Sequence, residues 1–241
     1  MAIVVFQHHE SERPGRLGLT LRDHAFKLDV RRLDRGDAVP TDLDDVDGVI
    51  SLGGPQSVGG REAWLEKEVG FLKEAMRIDL PVIGVCLGAQ LIAAALGGTV
   101  GPMEAGPEAG FDDVTMQPAG HVDPILAGIA WKSPQFHIHN DEVKGVPPGA
   151  TLLASSRRCP VQAFRAGFRT YAFQYHFECD REMVVEMAGE NRLMLGKAGL
   201  NPEEVARQCD RNYQMYARLG DRLCMNIVTY LFPRVGAAVG R

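Results

Sequence analysis

The chain reads as an α/β protein, and three observations carry that reading. Short apolar, β-branched runs alternate with segments of helical spacing, two of those runs end in glycine-rich turns, and the pattern becomes purely helical after residue 180. An apolar strand is expected at residues 2–6, followed by a polar segment through Arg13-Pro14-Gly15 that leads into a short helix. Strand-like segments recur at residues 27–32 and 46–52. Trp64, Leu65, Val69, Leu72, Ala75 and Met76 fall at helical spacing and predict an amphipathic helix over residues 64–78 before Pro81 opens the next strand. Short strands and Gly/Pro turns are expected between residues 97 and 139, then a meander of strands at 151–155, 161–165 and 170–175. Residues 181–195, 202–219 and 221–232 carry helical spacing, and Asn201-Pro202 with Glu204 resembles a helix start. Residues 235–241 read as a frayed tail.

The most informative segment is Pro81-Val82-Ile83-Gly84-Val85-Cys86-Leu87-Gly88-Ala89-Gln90. A buried strand meets an Ala/Leu-rich helix there, and one cysteine stands at the joint between two glycines. Missing side chains at Gly84 and Gly88 allow a sharp turn with close backbone approach, the pattern of a nucleophile elbow with Cys in place of Ser. The helix N-terminus favours the thiolate, the reactive form of cysteine.

A thiol nucleophile needs a base. Gln174-Tyr175-His176-Phe177-Glu178 ends a strand-like run, and the two-residue spacing puts His176 and Glu178 on one face. Glu178 could fix the imidazole tautomer and leave the other nitrogen for the Cys86 proton, the logic of a Cys-His-Glu triad. A third strand runs into Gly53-Gly54-Pro55-Gln56-Ser57. On its own this is a tight loop; beside an elbow, the N–H groups of Gly54 and Leu87 would form an oxyanion hole.

In order and in residues, the three segments resemble the class I glutamine amidotransferases, whose motifs read approximately Gly-Gly-Pro-x-Ser, Gly-x-Cys-x-Gly-x-Gln and His-Pro-Glu. Ile138-His139-Asn140-Asp141, Pro148-Gly149-Ala150, Leu153-Ala154-Ser155-Ser156 and Gln162-Ala163-Phe164 extend the likeness to stand-alone members similar to the amidotransferase domain of GMP synthetase. The resemblance implies a mixed, largely parallel, flavodoxin-like sheet with helices on both faces. It implies an amidotransferase domain over residues 1–180, with residues 181–241 a helical extension packed on that domain. Capping the core, forming a homodimer face and docking a synthetase are the three roles open to the extension. The resemblance also implies Cys86, His176 and Glu178 as the triad and Gly53, Gln90, His139, Asn140 and Asp141 as substrate-binding residues. One departure is visible. Phe177 stands where the family has proline, whose contribution is backbone rigidity, so the departure bears on the pose of His176 and Glu178.

Three function classes follow. The first is a glutaminase that gives ammonia to a synthetase on a separate chain, since no Ser-Gly-Gly-x-Asp-Ser pyrophosphate loop is present. The second applies the same triad to another γ-glutamyl compound, as a γ-glutamyl peptidase or hydrolase; the third is a non-catalytic binding protein on this fold. A chain of 241 residues that is 45% hydrophobic has the material for one substantial α/β core, and its net charge of −5 argues against nucleic-acid and anionic-membrane partners. No apolar run reaches transmembrane length and the N-terminus lacks a basic start, so a cytoplasmic setting is expected. Five cysteines form no Cys-x-x-Cys pair. His137 and His139 alternate on a strand but lack a third ligand in the sequence, so neither metal nor cofactor is expected. Cys179 reads as a buried filler beside Glu178.

Overall fold

The structure, a computed structural model, describes residues 1–232; the tail expected at 235–241 lies outside the described residues. In chain order the elements are β1 (Ala2–Gln7), α1 (Gly15–Asp23), β2 (Leu28–Arg32), β3 (Val46–Ser51), α2 (Leu65–Arg77), β4 (Val82–Val85), α3 (Leu87–Ala95), β5 (Val100–Pro102), β6 (Glu108–Met116), α4 (Pro118–His121), β7 (Lys132–His139), β8 (Asp141–Val143), β9 (Ala150–Ser155), β10 (Ala163–Ala166), β11 (Thr170–Phe173), α5 (Arg181–Glu190), α6 (Arg192–Lys197) and α7 (Pro202–Asn226).

Nine strands form one mixed sheet in the order β2-β1-β3-β4-β11-β10-β9-β6-β7, and β5 pairs with β8 separately. The first five are mutually parallel and the rest join antiparallel. Alternation along the parallel strands feeds two cores. Ile3, Val5, Ile50, Ile83 and Val85 pack with Leu17 and Leu21 of α1 and Leu223 of α7, whereas Val4, Phe6, Val49 and Val82 pack with Leu72 of α2 and Leu91 of α3. Helices therefore cover both faces. No helix among the described residues is long and apolar enough to cross a membrane.

The C-terminal helices differ from the sequence expectation in two places. The helix expected over 181–195 breaks at Asn191, whose side-chain Nδ2 donates to Met187 O at 2.9 Å and competes with the helical ladder. The two helices expected on either side of Gly220 are instead one, α7, followed by a wider turn over Ile227–Leu231. Glycine there costs about 1 kcal/mol against alanine, but a Cβ on Gly220 would come 2.6 Å from Phe177 O. The missing side chain lets α7 touch the segment after β11 that carries His176. At the other end of α7 the expected cap is present, with Asn201 accepting from Glu204 N at 2.8 Å and Pro202 in the first turn. In the region read as short strands, β6 and β7 form a long antiparallel pair of nine and eight residues.

Candidate active site

Four parallel strands, β1, β3, β4 and β11, deliver loops to one edge of the sheet, where their carboxyl ends leave a crevice. Cys86 joins β4 to α3 with φ 51° and ψ −108°, in the left-handed half of backbone space that a non-glycine residue rarely occupies. Hydrogen bonds hold the strained turn: Cys86 N donates to Phe173 O at 2.8 Å and Gly88 N to Leu52 O at 3.0 Å. The flanking glycines are required by contact. A Cβ on Gly84 would meet the Gly88 backbone at 2.6 Å, and one on Gly88 would collide with Ser51 O.

His176 lies wholly buried, its Nδ1 2.8 Å from Glu178 Oε1. The carboxylate makes Nδ1 the protonated nitrogen, and Nε2 is left with no hydrogen-bond partner. Burial works against a charged imidazole, but Glu178 together with the Cys179 and Cys86 thiols lifts the His176 pKa well above its usual value. Burial likewise pushes the Cys86 thiol up, and the neighbouring His176 pulls it back. Proline is not what fixes this pose. His176 N donates to Phe136 O at 2.9 Å and His176 O accepts from the Tyr216 hydroxyl of α7 at 2.9 Å, while Phe177 packs edge-on against Phe173 at 4.9 Å.

A pocket opens over the thiol. Cys86, Leu87, Gly54 and Gln90 line it, with Asn140 and Asp141 opposite and Asn191 and Met194 contributed by the C-terminal helices. Among the described residues, neither Gly54 N nor Leu87 N donates to another backbone group or side chain. A Cβ on Gly54 would lie 2.9 Å from Leu87 Cδ2, so the two turns adjoin. Such a site can attack an acyl carbon, hold the resulting oxyanion and pass a proton to a leaving group. The family model for glutamine amidotransferase class-I matches residues 17–183. The chain belongs to that family.

Relatives of this class I glutamine amidotransferase differ in what they are named for. The chain is 35% identical over 175 residues to a glutamine-hydrolyzing GMP synthase subunit of Haloarcula marismortui, covering 72% of this chain and 84% of that one. It is 30% identical over 154 residues to gamma-glutamyl peptidase 3 of Arabidopsis thaliana, covering 61% and 60%. A solved glutamine amido transferase from Methylobacillus flagellatus superposes with a TM-score of 0.87 at 28% identity, covering 100% of this chain and 98% of that one.

The substrate-binding residues expected from sequence are distributed unevenly in this amidotransferase. Gln90 donates to Asp141 O at 3.0 Å and to Gln174 Oε1 at 3.2 Å, tying α3 to the loop across the cavity. Gly53 and Gly54 form the loop after β3. His139 borders the cavity, but its ring turns inward: Nδ1 is 2.9 Å from Asp141 O and Nε2 is 3.0 Å from Glu108 Oε2. Asn140 is exposed and Asp141 half-buried at the rim.

His8 follows the first strand, where a loop near the site is expected from sequence, but sequence reasoning missed its partner Glu68 and missed Glu12. Beneath Gly53, His8 Nδ1 lies 3.0 and 3.1 Å from the carbonyl oxygens of Gly53 and Leu52, and Nε2 lies 2.8 Å from Glu68 Oε2. Ser51 Oγ donates to Glu68 Oε1 at 2.6 Å and Trp64 stacks on His8 at 4.9 Å. Burial opposes charge on His8, but Glu68 prevails and raises its pKa, which suits a ring that donates from both nitrogens. A signal existed, because Glu68 falls in the apolar stripe of α2 between Leu65 and Leu72. Glu12 stands in the loop after β1 and lines the cavity with Cys86. No local pattern marks it.

Two buried groups have the donor types of a metal site, Glu108-His137-His139 and His176-Glu178-Cys179, each with its donor atoms within 4.8 Å of one another. The second shares His176 and Glu178 with the site beside Cys86. In the first, the structure supplies the third donor that the sequence lacked, but Glu108 already accepts from Gln162 Nε2 at 2.8 Å and from Ser156 Oγ at 3.0 Å besides its contact with His139. The five cysteines are free and buried, and the Cys179 thiol lies 3.6 Å from Glu178 Oε1.

Proposed function

We propose that the chain is a glutaminase with Cys86 as nucleophile, His176 as proton carrier and Glu178 as its orienting carboxylate. The observation that carries this is the strained Cys86 turn beneath a cavity, beside an imidazole whose Nδ1 is held by Glu178 and whose Nε2 has no other partner. His176 Nε2 takes the thiol proton as Sγ attacks the γ-carbonyl of glutamine. The oxyanion of the tetrahedral intermediate is received by the N–H groups of Gly54 and Leu87. His176 returns its proton to the nitrogen as the C–N bond breaks, releasing ammonia and leaving a γ-glutamyl thioester on Cys86. Water, activated by the same imidazole, then frees glutamate and regenerates the thiol. Gln90 and the rim residues His139, Asn140 and Asp141 frame the amino-acid end of the substrate.

The relatives named as glutamine-hydrolyzing subunits of GMP synthase support a reading in which the ammonia goes to a synthetase on a separate chain. Residues 181–232 belong to the same working unit as residues 1–180, because Tyr216 braces His176 and Asn191 and Met194 line the cavity. The likeness to gamma-glutamyl peptidase 3 favours a second reading, the same chemistry on a γ-glutamyl peptide. Incubation with glutamine and with γ-glutamyl dipeptides, reading ammonia, glutamate and amino-acid release, separates the two. Cys86→Ala should abolish whichever activity is found while leaving the melting temperature in place. Turnover that survives Cys86→Ala would overturn the assignment.

A further inference from the structure

We infer that Glu12 receives the departing nitrogen, accepting a hydrogen bond from the N–H of the scissile amide as the C–N bond breaks, and so selects γ-glutamyl amides over esters. The inference rests on the triad reading above and adds a residue to it. Glu12 is 8% exposed, and its Oε2 is buried with no hydrogen-bond partner. An unpaired buried carboxyl is costly, typically several kcal/mol, unless something arrives to satisfy it. The loop that carries Glu12 does not use the carboxyl to hold itself together. Ser11 Oγ bonds Glu190 at 2.6 Å, Arg13 pairs with Glu186 at 2.8 Å, and Arg16 N donates to Glu178 O at 2.8 Å, so the loop is braced against α5 and the segment after β11 by other groups.

The position of the carboxyl says which part of a substrate it would meet. A Cβ on Gly53 would collide with Glu12 Oε2 and lie 2.9 Å from His176 Cε1, so the carboxyl stands on the Cε1 edge of the imidazole, above Gly53. Cε1 is bonded to Nε2, and a nitrogen taking its proton from Nε2 passes beside a group on that edge. The α-amino and α-carboxylate ends of a γ-glutamyl group lie three carbons from the reacting carbonyl, toward the rim. Burial raises the Glu12 pKa, opposed by His176, with Glu178, His8 and His9 the other charges that face it. Acid or anion, it presents an acceptor oxygen to an N–H. An ester leaving group offers none.

The test compares L-glutamine with γ-glutamyl methyl ester, which share an acyl group and differ in the leaving atom, in the wild type, Glu12→Gln and Glu12→Ala. Glu12→Ala should lower kcat/KM for glutamine by about tenfold, the worth of one buried hydrogen bond, and leave the ester within about threefold. Glu12→Gln, which keeps one acceptor oxygen, should fall between on glutamine. An equal loss on both substrates, or no loss on glutamine, overturns the inference. The Cys86→Ala control separates the two claims. Ester turnover that persists without Cys86 defeats the triad reading, whereas Cys86-dependent turnover of both substrates that ignores Glu12 defeats only the leaving-group role.

Discussion

Two of the buried histidine–carboxylate pairs, one at the end of the parallel half of the sheet and one on its antiparallel half, differ in what is left unsatisfied. In the first, Glu178 holds His176 Nδ1 while Nε2 is unpartnered beside a thiol. In the second, Glu108 meets His139 Nε2, the other His139 nitrogen meets Asp141 O, and Gln162 and Ser156 complete the carboxylate. Burial and distance are nearly equal in the two pairs, so neither tells them apart. The open valence does. A closed network rigidifies its surroundings, whereas a held imidazole with a free nitrogen can move a proton.

The largest expected effect tests that distinction directly. His176→Ala should reduce kcat by about 10² to 10⁴-fold, the usual contribution of general acid–base assistance, and Glu178→Gln should cost less because the carboxylate orients the ring without taking its proton. His139→Ala should act on KM and stability, with kcat falling far less than for His176→Ala. Steady-state kinetics of the three variants decide it, and equal losses in kcat at His139 and His176 would erase the comparison.

The open pair was legible in the sequence and the closed one was not, for a physical reason. Cys86, His176 and Glu178 sit in short local patterns, a glycine-flanked joint and a two-residue spacing, that constrain geometry by themselves. So did the α/β alternation and the Asn201-Pro202 helix start. Glu108 and His139 meet only because β6 and β7 pair in register, Glu108 opposite His139, a contact across 31 residues that no local spacing announces. His137 and His139 were visible as a pair; their carboxylate partner was not. The continuity of α7 through Gly220 was hidden for the same reason, since the carbonyl that excludes a side chain there belongs to Phe177. Glu12 was invisible because its place at the pocket comes from where the loop after β1 lands.

Breaking the closed pair should cost stability. Glu108→Ala strands a buried His139 nitrogen and should destabilise the fold by about 3 to 5 kcal/mol, the range for removing one partner of a buried pair. Urea unfolding at pH 7 measures it. A loss below about 1 kcal/mol would mean the network carries little.

The buried cluster of Glu108, His137 and His139 should also make the fold acid-sensitive, in a definite order. Burial pushes His137 down to about 4. Between its unfolded value near 6.5 and about 4 the unfolded chain therefore binds the extra proton, and stability falls as pH falls by about 3 kcal/mol. Glu108 comes next. Burial would raise it, but His137, His139 and Ser156 prevail and hold it at about 2, so its contribution is complete above its unfolded pKa and is lost as pH falls from there toward about 2. Replacing His137 by Gln should flatten the stability profile between pH 6.5 and 4 and narrow the lower window, because His137 is the largest of the groups that hold Glu108 down. An unchanged slope in the upper window would show that His137 does not carry it.

The smallest expected effect joins the C-terminal helices to the open pair. Tyr216→Phe removes only the hydroxyl that donates to His176 O, at a site where Phe136 O still holds the backbone N–H. The net worth of one such bond is about 1 kcal/mol, and the aromatic packing against Phe111 remains. If α7 serves only as a cover, the variant loses that stability and keeps its kcat. If α7 fixes the pose that proline would otherwise fix, kcat falls several-fold as well, because a shifted His176 backbone moves Nε2 relative to Cys86. Restoring the backbone constraint separates these outcomes: Phe177→Pro on the Tyr216→Phe background should recover kcat without recovering stability. Failure of proline to recover any kcat that was lost would place the effect of Tyr216 outside the His176 backbone.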